Sequence, residues 1–147
     1  MWTMTEIGFF SAVQHRDNPD LLLIRARSKK DLDNLLDFAI ESEVPDMSDV
    51  GDIERTLQGA DYPYRLTCTK EAWAVIMAAL IGVIDYDNFK NRIAVSNPTR
   101  AHTYGRVWST MIAVEREPDA GVYKDQPKLV QRPKKAAAKK SSKKVSR

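Results

Sequence analysis

The stretch Asp61 to Arg92, DYPYRLTCTKEAWAVIMAALIGVIDYDNFKNR, decides the fold. At its start Tyr62, Tyr64, Leu66 and Cys68 alternate with Arg65, Thr67 and Thr69, a period of two rich in aromatic and β-branched residues. That pattern predicts a half-buried strand. Pro63 lacks a ladder donor, so the strand is expected to lie at an edge near its start or to begin after Pro63. Thr69 is placed to cap a helix, its hydroxyl accepting from an amide of the first turn. Glu71 follows where the helix dipole favours a negative charge. From Lys70 to Ile84 the residues Trp73, Ile76, Met77, Leu80, Ile81 and Ile84 recur at spacings of three and four. They predict a helix whose single stripe is the main contribution to the core. The apolar run is shorter than the roughly 20 residues a membrane span requires, so no membrane is expected as a partner.

Working outward, Trp2 to Gln14 reads as one extended segment, with Phe9, Phe10 and Val13 as strand formers. Gly8 within it marks a bulge or a close backbone approach. Arg16-Asp17-Asn18-Pro19-Asp20 is turn chemistry, and Leu21 to Arg27 is the second strand of the hairpin it closes. Leu22, Ile24 and Ala26 then face one way and Leu23, Arg25 and Arg27 the other. Ser28 is expected as an N-cap, with Asp31 near the third helical position. The helix that follows turns Leu32, Leu35, Leu36, Ala39 and Ile40 inward and ends at Val44-Pro45. Ile53 to Leu57 is expected as a short strand pairing with the one after Pro63. Asp87 is expected to cap a short helix that returns Phe89 and Ile93 to the core. Arg100 to Glu115 predicts a last helix with Tyr104, Val107, Trp108, Met111 and Ile112 inward.

This order predicts an α+β domain over residues 1–116: an antiparallel sheet with helices on one face, ferredoxin-like, with an added C-terminal helix. Residues 117–147 are expected to be a disordered tail, because a Lys/Ala/Ser-rich segment cannot bury enough apolar surface to order itself. With 147 residues and 43% hydrophobic content, one modest core is expected. The net charge of +3 conceals an asymmetry. Residues 125–147 hold nine Lys/Arg and one Asp, against fourteen Lys/Arg and nineteen acids in residues 1–124. An acidic body therefore carries a basic tail. The single cysteine, Cys68, excludes an intramolecular disulfide and fits a reducing cytoplasm. Met1 to Phe10 lacks a basic start and a continuous apolar core, so secretion is not expected.

Several strings resemble, as a set, a family of small uncharacterised bacterial and bacteriophage proteins. They are Met1-Trp2 with Gly8-Phe9-Phe10-Ser11, Arg25-Ala26-Arg27, Asp61-Tyr62-Pro63-Tyr64-Arg65, Asp85-Tyr86-Asp87-Asn88-Phe89-Lys90, and Tyr104 with Val107-Trp108. The GFFS and DYDNFK strings are the most specific of these. The resemblance covers roughly residues 1 to 112, transfers no catalytic residue, and implies a cytoplasmic protein of a bacterium or its phage. The lysine-alanine tail is similar in composition to those of actinobacterial nucleoid proteins.

The residues that carry chemistry are few. Asp85, Asp87 and Asn88 with Asp61 offer oxygen ligands, but their spacing is not that of an EF-hand, and capping and turn formation explain them. No Cys or His stands at zinc-ligand spacing from His15 or His102. Cys68, on the inward side of a strand, reads as a small buried hydrophobe rather than a nucleophile. No phosphate loop, serine elbow or zincin helix occurs. No enzyme, no cofactor and no metal site is therefore expected. Arg25, Arg27 and Arg65 are expected on one sheet face with Tyr64 or Phe10 nearby. They either pair with the acids of the body or hold phosphates and stack on bases. Trp2, Trp73 and Trp108 read as core or core-edge residues. In the tail, Lys134, Lys135, Lys139, Lys140, Lys143, Lys144 and Arg147 recur as spaced charges. They suit salt-sensitive, sequence-independent contact with DNA or RNA, or else simply keep an acidic body soluble. The function expected from these features is that of a non-enzymatic nucleic-acid-associated protein. The alternative is an adaptor or inhibitor that binds a host protein through its folded domain.

Overall fold

The structure is a computed structural model that describes residues 1–45, 47–56 and 59–116, the side chains of Glu115 and Arg116 excepted. The lysines and Arg147 of the tail lie outside the described residues, as do Leu57 and Gln58 of the expected fourth strand and its turn. Met1–Met111 forms one compact unit; the described part of the second unit is a 3-10 helix, Ile112–Arg116.

Five antiparallel strands make one sheet in the order β1-β2-β3-β5-β4. They are β1 (Trp2–Met4), β2 (Phe9–Gln14), β3 (Leu21–Ala26), β4 (Glu54–Arg55) and β5 (Tyr64–Thr69). The helices are α1 (Lys29–Glu41), α2 (Lys70–Gly82), α3 (Phe89–Ser96) and α4 (Pro98–Met111). This is the expected α+β class. A ferredoxin-like arrangement interleaves its elements as β-α-β-β-α-β, whereas here three strands precede the first helix.

The expected first strand is divided in two. The backbone amide and hydroxyl of Thr5 both donate to the carbonyl of Gly8, and the Thr5 hydroxyl accepts from the Gly8 amide, which closes a tight turn between β1 and β2. Gly8 is required there by close approach. A Cβ at that position would stand 2.4 Å from Cζ of Phe10 and 3.0 Å from Cβ of Asp31.

The ladder register assigns the two sheet faces. Ala12 pairs with Ile24 and Ile24 with Leu66; Leu22 pairs with Cys68 and Ala26 with Tyr64. Together with Phe10 these residues form the core face, covered by α1 and α2. Phe10, Ile24, Leu35, Leu66, Cys68 and Ile76 are all essentially inaccessible. From α1 the core takes Leu32, Leu35 and Ala39, while Ile40 faces solvent. Thr69 caps α2 as expected, accepting from the Ala72 amide at 3.1 Å.

The stripe of α2 is narrower than its spacing predicts. Trp73 and Ile76 are buried and Met77 and Leu80 are half-buried, but Ile81 is 64% and Ile84 51% exposed. The helix ends at Gly82, so Ile84 leaves the helical stripe, and Ile81 faces solvent. Asn88, not Asp87, caps α3, its side-chain oxygen accepting from the amides of Lys90 and Asn91. Asn97 does the same for Arg100 in α4, and Pro98 occupies the first position of that helix, where its missing N–H costs nothing. Of the residues expected inward on the last helix, Tyr104 is buried and Val107 half-buried. Trp108 is 53% exposed, with the Lys90 ammonium 3.9 Å from its ring centre. β4 covers only Glu54–Arg55, shorter than the expected strand. Among the described residues no helix is long and apolar enough to cross a membrane.

Candidate nucleic-acid interface

The alternation that sends Ala12, Ile24 and Leu66 to the core sends Ser11, Arg25 and Arg65 to the opposite face. Ser11 pairs with Arg25, and Arg25 in turn pairs with Arg65. Two guanidinium side chains thus start from directly opposed ladder positions, where like charges are destabilising. Arg25 donates to the hydroxyl of the buried Ser11 at 2.8 Å, which lays its side chain along the sheet. The Nε groups of Arg25 and Arg65 are both buried without a hydrogen-bond partner.

Arg25, Arg27 and Arg65 have no carboxylate within ion-pair distance among the described residues. Glu54 stands opposite Arg65 in the ladder, yet its carboxylate does not reach the guanidinium. Four acids pair with other cations: Asp33 with Lys29, Glu6 and Asp85 with Arg92, and Asp31 with Arg100. Hydrogen bonding to Glu6, with the charge of Asp85 behind it, holds the Arg92 pKa above its usual value.

The aromatic partner of Arg25 and Arg27 is Tyr62. The guanidinium carbons of Arg25 and Arg27 lie 4.8 and 5.1 Å from its ring centre, within cation–π range. The expected neighbours, Tyr64 and Phe10, belong to the core face instead: Tyr64 packs against the buried cluster and Phe10 lies within it. Strand alternation put Tyr62 with Tyr64, but β5 begins only at Tyr64, after Pro63, so Tyr62 is released from the ladder. Trp2 and Phe9 also lie on the arginine face, through the pairing of Trp2 with Ser11 and of Met4 with Phe9. Their rings meet edge to face at 5.6 Å, and Trp2 is 69% exposed. Of the three tryptophans, only Trp73 is a core residue.

Beside this face a cavity of about 500 Å³ opens between the β1 and β2 side chains, Tyr62, the start of α1 and one side of α4. Its polar boundary is a network that pattern reading missed. Asp31, only 4% exposed, accepts from the amide of Phe9 at 3.0 Å and takes two bonds from Arg100, at 2.5 and 3.2 Å. Arg100 also donates to the hydroxyl of Tyr104, which donates to the carbonyl of Gly8 at 3.0 Å. Hydrogen bonding to Asp31 raises the Arg100 pKa further, against the opposing effect of burial. Burial raises that of Tyr104, so its hydroxyl stays a donor. Asp31 was expected to complete a capping box with Ser28. Instead the Asp31 amide donates to the Ser28 carbonyl, the Ser28 side chain makes no capping bond, and the Asp31 carboxylate is directed to Phe9 and Arg100. The only sequence signal for this pair is an acid at the third position of a helix and an arginine 69 residues later.

The other candidates stay apart from this face. Cys68 is buried in the core, where desolvation pushes its thiol up to about 11, so it carries no thiolate at neutral pH. Asp85 pairs with Arg92 at 3.7 Å and Asn88 caps α3. Among the described residues no group of three or more His, Cys, Asp or Glu is placed to hold a metal ion. Comparison with family models, with curated proteins and with solved structures returns no match, so the arrangement is read from its own chemistry.

Proposed function

We propose that this is a non-enzymatic nucleic-acid-binding protein of a bacterial or bacteriophage cytoplasm. It holds single-stranded DNA or RNA on the arginine face of its sheet, and its basic tail supplies further, sequence-independent contact with phosphates. One observation carries the reading: Arg25 and Arg27 lie against Tyr62, Arg65 stands opposite Arg25 in the ladder, and none of the three has a carboxylate partner among the described residues. In an acidic body, unpaired arginines at opposed ladder positions are a cost that folding alone does not recover. An anion with several phosphates offsets it, and guanidinium groups beside aromatic rings suit phosphates and stacked bases together.

The test is fluorescence anisotropy of a labelled uridine decamer with the full chain, at about 50 and 200 mM salt. Replacing Arg25, Arg27 and Arg65 together by Gln is expected to weaken binding at least tenfold. The logarithmic salt slope should fall by about 2, given roughly 0.7 per phosphate contact on single strands. Replacing Lys134, Lys135, Lys139, Lys140, Lys143, Lys144 and Arg147 by Gln is expected to lower the slope as well. A triple arginine variant that binds like the parent overturns the role given to the sheet.

A second reading, an adaptor or inhibitor of a host protein with a merely solubilising tail, is favoured by one observation. Val75, Ile81, Val83 and Ile84 expose apolar surface in and just after α2. Absence of oligonucleotide binding by the parent turns attention to that surface.

A further inference from the structure

We infer that the cavity beside the arginine face takes one unpaired nucleobase of the bound strand, with an adjoining phosphate held by Arg27. The inference rests on the nucleic-acid reading and adds to it a seat for a base. The volume, about 500 Å³, falls in the range of pockets that enclose a small organic ligand and exceeds what one base needs. The sheet side of the cavity is largely aromatic, formed by Trp2, Phe9 and Tyr62 together with Met4. Tyr62 is already covered by Arg25 and Arg27 and serves as a wall. Trp2 is different: Phe9 touches it edge to face, and 69% of its surface is open. It is the ring on which a base can stack.

The polar groups around the cavity divide into satisfied and unsatisfied. Asp31 would repel a phosphate if it were free, but both its oxygens are engaged, by Arg100 and by the Phe9 amide. Arg27 is exposed and has Tyr62 as a ring neighbour but no carboxylate partner among the described residues. The Ser28 hydroxyl makes no capping bond, and the Asn97 side-chain oxygen is taken by the Arg100 amide while its NH₂ remains a donor. Aromatic walls, a cation at the mouth and hydrogen-bonding groups along the edge match a base joined to a phosphodiester. They match an aliphatic ligand poorly. An unpaired base is required, because a base within a duplex presents no free face to Trp2.

The test compares the uridine decamer with an abasic decamer of the same phosphate number, both titrated into the full chain. Phosphate contacts are equal in the two probes, so a seated base shows as a preference for the uridine strand, expected at about tenfold. Trp2→Ala is expected to abolish that preference, read as the ratio of the two affinities. Trp2 is largely exposed, so the variant is expected to fold, and its melting temperature is the control. Thr103→Trp, at an exposed cavity-lining position of α4, fills the space from the other side and is expected to abolish the preference too. Equal binding of both probes by the parent overturns the seated base while leaving phosphate binding by the arginines intact. A preference that survives both substitutions also overturns it. Failure to bind either probe removes the nucleic-acid reading and this inference with it.

Discussion

The two faces of the sheet are built from alternate residues of the same strands, and they solve opposite problems. On one, Phe10, Ile24, Leu66 and Cys68 are sealed beneath α1 and α2. On the other, Ser11, Arg25 and Arg65 lie in line across three strands, bordered by Trp2, Phe9 and Tyr62. The core face satisfies itself: each side chain finds apolar neighbours within the chain. The arginine face does not, since two of its guanidinium groups keep a buried Nε without a partner. In the function proposed above, the bound strand supplies the partners that this face lacks among the described residues. Stability and binding should therefore separate cleanly between the two faces.

The largest separation is expected between adjacent phenylalanines. Phe10→Ala empties a fully buried site against Trp73 and Gly8, and should lower the unfolding free energy by about 3–5 kcal/mol. Phe9→Ala, one residue away on the other face, should cost less than Phe10→Ala, since Phe9 is only partly sealed from water. Denaturant titration of both variants checks this; similar losses would erase the distinction between the faces.

A smaller effect is expected at high pH from Cys68 on the core face. The folded pKa of Cys68, about 11, lies above the 9.0 of an exposed thiol. Below pH 9 both folded and unfolded thiols are protonated and the group contributes no pH dependence. Between pH 9 and 11 the unfolded state loses its proton first, so stability falls as pH rises, by at most about 2.7 kcal/mol. Cys68→Ala should flatten that decline. A parent and variant whose stabilities fall in parallel over this interval would mean that the thiol is not sealed from water.

The smallest effect on stability is expected for Arg65→Met, within about 1 kcal/mol of the parent. The substitution removes a partnerless Nε and a like charge opposite Arg25, and keeps most of the apolar stem. Thermal unfolding measures it. A loss of several kcal/mol would show that Arg65 holds the fold together and would remove it from the binding surface.

Local physics decided much of this in advance. Period-two alternation in Leu21–Ala26 and Tyr64–Thr69 sorts side chains correctly onto two faces, because the pleat leaves no choice once a strand forms. Thr69 caps α2 and the spacing of Leu32, Leu35 and Ala39 predicts the buried stripe of α1, since both depend only on neighbours within one or two helical turns. Whether the arginines paired with the acids of the body or stood apart from them was open in the sequence, because charge counts carry no positions. Four features required the folded chain. Asp31 meets Arg100 across 69 residues, and no local pattern distinguishes that carboxylate from a capping one. Tyr62 joins the arginines rather than the core because Pro63 ends the ladder and frees the preceding residue from its alternation. Ile81 and Trp108 face solvent because a helical stripe states what can be buried, while the available neighbours decide what is. The cavity is set by how α4 is tied to the Gly8 turn through Tyr104, a bond that spans 96 residues. The sequence by itself determined the elements and their faces, through interactions of short range. Which side chains meet across those elements, and hence where a ligand can sit, was decided only by the tertiary structure.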